Sequence, residues 1–177
     1  MKKIVIYVLL MVSLLIPSIA FAQTNYVTDM PKEEMILDGK IVPLETTMGR
    51  VKAFYGKPST SHIFEADGVH VVTYTFDNYC LKVVGRVGLP VEGKVKIKND
   101  DIPVIGYVID TNSGLTTKQG FTVGLPYERV VMKYGVGNEA VHGNDKLYFY
   151  TNRDLQTFEF YIDKYGMITK IAVGQDW

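Results

Sequence analysis

Thr46-Thr47-Met48-Gly49-Arg50-Val51-Lys52-Ala53-Phe54-Tyr55-Gly56 and Leu125-Pro126-Tyr127-Glu128-Arg129-Val130-Val131-Met132-Lys133-Tyr134-Gly135 are two versions of one phrase. Arg, Val, Tyr and Gly recur in register 79 positions apart (Tyr55 to Tyr134). Each phrase predicts a short helix. Thr46 or Thr47 caps the first, and Pro126 sits in the first turn of the second, where its missing N–H costs little. Met48, Val51, Phe54 and Tyr55, then Tyr127, Val130, Val131 and Tyr134, form apolar stripes at helical spacing. Gly56 and Gly135 supply left-handed caps, and Pro58 stops the first helix.

Aromatic-rich strand patterns follow each helix. His70 to Phe76 alternates, with Val72, Tyr74 and Phe76 on one face. Asp77-Asn78 turns the chain and Tyr79 to Val84 returns. In the second copy Val136 to Asp145 reads as a loop rich in Gly and Asn. Lys146 to Thr151, Leu155 to Ile162 and Met167 to Val173 read as strands. Phe158, Phe160 and Ile162 share a face, opposite Glu159 and Tyr161. The expected fold is α+β: two tandem repeats, each a short helix packed on an antiparallel β-meander of three strands. The repeats span 35–110 and 120–177, joined by a linker at 111–119. Met35 to Val42 is expected to be a tight hairpin around Asp38-Gly39. Residues 85–105 form an insertion without a counterpart, in which Lys94, Lys96 and Lys98 mark an exposed strand.

The amino terminus is read separately. Lys2 and Lys3, an uncharged run from Ile4 to Ile16, Pro17-Ser18 and Ala20-Phe21-Ala22 have the three parts of a secretory signal peptide at 1–22. Residues 23–34 are expected to be a flexible leader. Cleavage leaves 155 of the 177 residues, with 17 Lys and Arg against 19 Asp and Glu, a net charge of −2. That balance offers no basic stripe for nucleic acid and no polybasic membrane patch. The chain is expected to be extracytoplasmic, periplasmic or secreted, with no membrane span after cleavage. The single cysteine, Cys80, allows no internal disulfide and reads as a buried, inert thiol.

The helix entry, the Tyr-Gly-x-Pro exit and the meander together resemble the β-lactamase-inhibitor-protein-like (BLIP-like) fold and the related small outer-membrane-assembly lipoprotein domains. The residues that carry the likeness are Gly120-Phe121-Thr122-Val123-Gly124, Val130, Tyr134-Gly135, Tyr148, Phe158-Glu159-Phe160, Asp163, Gly166, Ile168 and Ile171. In the first copy they are Thr46-Thr47, Val51, Tyr55-Gly56-Lys57-Pro58 and Tyr74-Thr75-Phe76. The resemblance implies an exported bacterial module that binds other proteins. The lipoprotein branch needs an N-terminal lipidated Cys, which the chain lacks.

No constellation for catalysis stands out. His62, His70 and His142 form no HxH or HExxH, and His62 and His142 read as residues of equivalent loops. No G-x-S-x-G occurs. Asp100-Asp101 reads as a solvated turn. No enzyme, metal or cofactor is expected. The expected function is a non-enzymatic protein-interaction module of the bacterial cell envelope, with an envelope or extracellular protein as partner. A module that binds cell-wall glycan or peptide is the alternative. The candidate partner-binding residues are Tyr148, Tyr150, Glu159 and Tyr161. Glu159 and Tyr161 face away from the helix by alternation, and Tyr148 and Tyr150 join them if Phe149 lies on the core side.

Overall fold

The computed structural model describes residues 30–89, 97–111, 113–142 and 145–175. The expected signal peptide at 1–22, residues 23–29 of the expected leader, and Lys94 and Lys96 of the expected insertion lie outside the described residues. The fold is α+β: among the described residues, one eight-stranded antiparallel sheet and two α-helices. Helix α1 (Met48–Tyr55) precedes β1 (Thr60–Ala66), β2 (Val69–Phe76), β3 (Leu81–Gly88) and β4 (Val104–Ile109). Helix α2 (Glu128–Tyr134) precedes β5 (Asn138–His142), β6 (Asp145–Thr151), β7 (Gln156–Ile162) and β8 (Ile168–Gln175). The strand order is β1-β2-β3-β4-β8-β7-β6-β5, so two meanders meet through their last strands.

Local chemistry sets both helices. The Thr47 side chain accepts from the Arg50 N–H at the start of α1. Gly56 (φ 84) and Gly135 (φ 76) end α1 and α2 in the conformation that favours glycine. Met48, Val51 and Tyr55 are buried from α1, and Val130 and Tyr134 from α2. Phe54, expected in the stripe, is 37 % exposed; Val51 and Tyr55 occupy the side of α1 that meets the sheet.

Cross-strand register defines the two faces. Tyr74, Val83, Tyr107, Val173, Phe158 and Tyr150 stand directly opposite one another along one row. All six are buried. Tyr55 packs against Phe76 (5.8 Å between ring centroids), and Tyr134 against Tyr150 (5.8 Å), so both helices cover this face. At Gly85 a Cβ would lie 2.7 Å from Met48 Cγ, so β3 and α1 meet closely.

Several sequence expectations change. Each helix is followed by four strands, since Thr60–Ala66 and Asn138–His142 are also strands. They are the two outermost strands, and β1 is exposed except at Ala66, so neither needs an apolar alternation. His62 and His142 therefore lie in edge strands and not in loops. The returning strand begins at Leu81, because Asp77–Tyr79 forms a 3-10 turn that ends on Cys80 with φ 46. Cys80 is thus half-buried at a turn. The two meanders form one sheet, not two side by side, because β4 pairs with β8 from Gly106↔Gly174 to Ile109↔Ile171.

Part of the expected leader is packed: Met30 is fully buried, and its N–H donates to the Thr151 carbonyl. The Tyr134 hydroxyl donates to Glu34. The expected linker is pinned as well. Leu115 and Thr117 are buried, and Thr117 bridges to Leu37 within the hairpin turn at Asp38-Gly39. Apolar residues at these positions draw the segments onto the core.

Candidate interaction surface

The face opposite the helices carries a second set of rows. Thr60, Thr75, Lys82, Val108, Ala172, Glu159, Phe149 and Asn138 run across all eight strands. A parallel row comprises His62, Thr73, Val84, Gly106, Gly174 and Thr157. No helix among the described residues packs over these rows. At the seam between the halves, Gly106 faces Gly174, and Val108 faces Ala172.

The four sequence-predicted binding residues divide between the two faces. Glu159 and Tyr161 lie on the open face, in register with Phe149 and Leu147. The Tyr161 hydroxyl donates to Glu159 (3.0 Å), and Lys170 Nζ sits 3.3 Å from the ring centroid. Burial first, then the Glu159 charge, pushes the Tyr161 hydroxyl up to about 12.

Tyr148 and Tyr150 lie on the helix face, because Phe149 pairs with Glu159 on the open one. Tyr148 stacks on Tyr127 at 4.4 Å and donates to Glu139 at 3.1 Å. Tyr150 is fully buried. Its hydroxyl donates to the Gly135 carbonyl (2.8 Å) and pairs with the Tyr127 hydroxyl (3.0 Å), which accepts from the Gly137 N–H (3.2 Å). Burial raises the Tyr150 hydroxyl far above the usual range, as expected of a core group. Tyr150 is therefore a structural residue, and the expectation that it faces a partner is corrected.

The first half of the open face contains a groove of about 520 Å³ that the sequence did not signal. Val84 and Ile105 form its floor, only 8 % and 7 % exposed. Lys82 and Arg86 project from β3 on the same face, and His62 approaches from β1. The pattern Lys82-x-Val84-x-Arg86 is visible in the sequence. Its meaning depends on knowing that this face is uncovered.

Elsewhere, His70 is buried with Nδ1 2.5 Å from Glu65 and Nε2 3.1 Å from the Asn99 side-chain oxygen. This ties β1 and β2 to the turn at Asn99–Asp101. Lys52 pairs with Asp100 at 2.5 Å. No cluster of His, Cys, Asp or Glu among the described residues could hold a metal ion. No described helix is long and apolar enough to cross a membrane.

No family model and no curated protein matches the chain. Among solved structures it is similar to an extracellular protein containing an SCP domain from Bacillus anthracis str. Ames (15 % identity, TM-score 0.41). That likeness covers 73 % of this chain and 43 % of the other, so the chain spans less than half of that protein's length. It is also similar to YjgB, a DUF4309 family protein from Bacillus subtilis subsp. subtilis str. 168, at 12 % identity and TM-score 0.42. There the likeness covers 84 % of this chain and 88 % of that one. A third is a "putative beta-lactamase inhibitor protein" from Streptococcus mutans, at 15 % identity, TM-score 0.29 and coverage of 72 % and 82 %. Likenesses at this level assign neither a family nor an activity.

Proposed function

We propose that the chain is an exported, non-enzymatic protein-interaction module of the cell envelope, built from two copies of one BLIP-like α+β unit. The observation that carries this reading is the one-sided cover of the sheet. Helices, hairpin and both tyrosine clusters gather on one face, and among the described residues no helix covers the other across its eight strands. Seven strand spacings of about 4.8 Å, by six residues at about 3.3 Å, give an open face on the order of 700 Å². That is close to the roughly 800 Å² each partner contributes to a standard protein interface. Glu159 and Phe149 supply charged and aromatic anchors on it, and Tyr161, only 8 % exposed, backs Glu159 through its hydroxyl. The repeated helix cap, the four strands that follow each helix and the pairing of β4 with β8 support duplication. The 1–22 segment supports export.

The test is a photo-crosslinking residue placed at Phe149, Thr73 or Val108 on the open face, and at exposed Met132 on α2 as control. Expressed in the native host, the open-face sites should capture one envelope protein and Met132 none. Tyr161→Ala should reduce capture at Phe149. Equal adducts from both faces would refute the reading. Sedimentation with purified peptidoglycan, without a protein adduct, would move the assignment to the glycan-binding alternative.

A further inference from the structure

The groove on β2, β3 and β4 has a specific chemical character. Val84 and Ile105 are almost fully buried although no described element covers the open face. Val71 and Thr73 are half-buried beside them. The charged residues of the lining, Lys82 and Arg86, are both cations, and neither side chain forms a hydrogen bond or ion pair with another described residue; the main chain of Arg86 donates to the Pro103 carbonyl. A concave apolar site with one sign of charge concentrates a potential that attracts the opposite charge.

The spacing narrows the occupant. Lys82, Val84 and Arg86 alternate along one strand, so they share a face. Four residues at about 3.3 Å each separate the two cations by about 13 Å, with Val84 midway. An extended segment has the same rise. Acidic side chains at positions i and i+4 would meet the cations, and an apolar side chain at i+2 would fall on Val84. A helix places i and i+4 only about 6 Å apart along its axis and does not match.

We infer that this groove binds an extended segment of a protein partner, with acidic, apolar and acidic residues at alternate positions. This rests on the reading of the open face as a protein-binding surface, and it names the kind of segment that surface takes. Threonines 73 and 75 offer hydroxyls to the segment's backbone.

The probe is a labelled, acetylated and amidated peptide, Asp-Thr-Val-Thr-Asp with one flanking threonine on each side, followed by fluorescence anisotropy against the purified protein. Binding should weaken about tenfold between 20 and 200 mM salt, as expected for exposed charges. Lys82→Glu and Arg86→Glu should each weaken it by about tenfold or more. A peptide with lysines in place of both aspartates should bind the double variant better than the wild type. Lys82→Gln and Arg86→Gln, with circular dichroism as a fold control, keep the test valid if a charge reversal fails to fold.

Equal binding of a scrambled peptide with adjacent aspartates would overturn the inference. So would absence of binding, or binding of dodecanedioate as tight as that of the peptide, which would make the occupant a small dicarboxylate. The photo-crosslinking test reads the open face as a whole. Crosslinks without peptide binding would therefore sink this inference alone, and loss of both would sink the function reading as well.

Discussion

Tyr150→Phe separates a core residue from a binding residue with one oxygen atom. In the wild type a chain of hydrogen bonds runs from the Gly137 N–H to the Tyr127 hydroxyl, to the Tyr150 hydroxyl, to the Gly135 carbonyl. It fastens the stretch between α2 and β5 from both ends. Removing the Tyr150 oxygen leaves the Gly135 carbonyl without its donor and the Tyr127 hydroxyl without its acceptor. The buried Tyr127 hydroxyl and the half-buried Gly135 carbonyl each cost about 1–1.5 kcal/mol when orphaned, so the variant should lose about 2–3 kcal/mol. For a domain of this size 1 kcal/mol moves Tm by about 2–4 °C, which gives a drop of about 5–10 °C by circular dichroism. Tyr148→Phe removes a hydroxyl whose partner, Glu139, is exposed, and should shift Tm by less than about 2 °C. A double-mutant cycle between Tyr127→Phe and Tyr150→Phe should give a coupling of about 1 kcal/mol. If Tyr150→Phe melts within about 2 °C of wild type, the buried network has no energetic role and the assignment of β6 faces fails.

Gly85→Ala should destabilise by about 1–3 kcal/mol in urea titration, because the new methyl would lie 2.7 Å from Met48 Cγ and 3.0 Å from Ile102 Cγ2. Val130→Ala, at a fully buried position of α2, should cost about 1–3 kcal/mol in the same assay. Tyr161 should ionise near pH 12 by tyrosinate absorbance, and Glu159→Gln should lower that value by removing the second-largest cause of the rise. Because its folded pKa lies above the unfolded value of about 10, the contribution of Tyr161 to stability is complete below pH 10 and is lost as pH rises toward 12. Stability measured from pH 9 to 12 should fall over that window in the wild type.

The helices and the inner strands were legible because their signals are local. Thr47, Gly56 and Gly135 mark helix ends, and the alternation in β2 and β7 separates buried from open faces. The edge strands were not legible. Thr60–Ala66 has a strand on only one side, so nearly every residue is solvated and no apolar period is imposed. The face of β6 was ambiguous for the opposite reason. Leu147, Tyr148, Phe149 and Tyr150 can each be buried, and only the pairing of Phe149 with Glu159 fixes their parity. The outward placement of Tyr148 and Tyr150 required Phe149 on the core side, whereas Phe149 lies on the open face and the core supplies Tyr127 and Gly135 as partners of the Tyr150 hydroxyl. The β4–β8 pairing joins residues more than 60 positions apart, which no local pattern announces.

The seam between the halves has a consequence for how the open face is shaped. On that side Gly106 meets Gly174 and Val108 meets Ala172, so little side-chain bulk opposes bending there. On the other side Tyr107 stands beside Val173, and its hydroxyl reaches the Met35 carbonyl at 2.9 Å. The curvature of the exposed surface is thus governed from behind, by residues a ligand never meets. A substitution at Tyr107 would act as a change of mould. It would alter the fit of a partner spanning both halves while leaving every contacting side chain in place, and a ligand confined to one half would be indifferent to it.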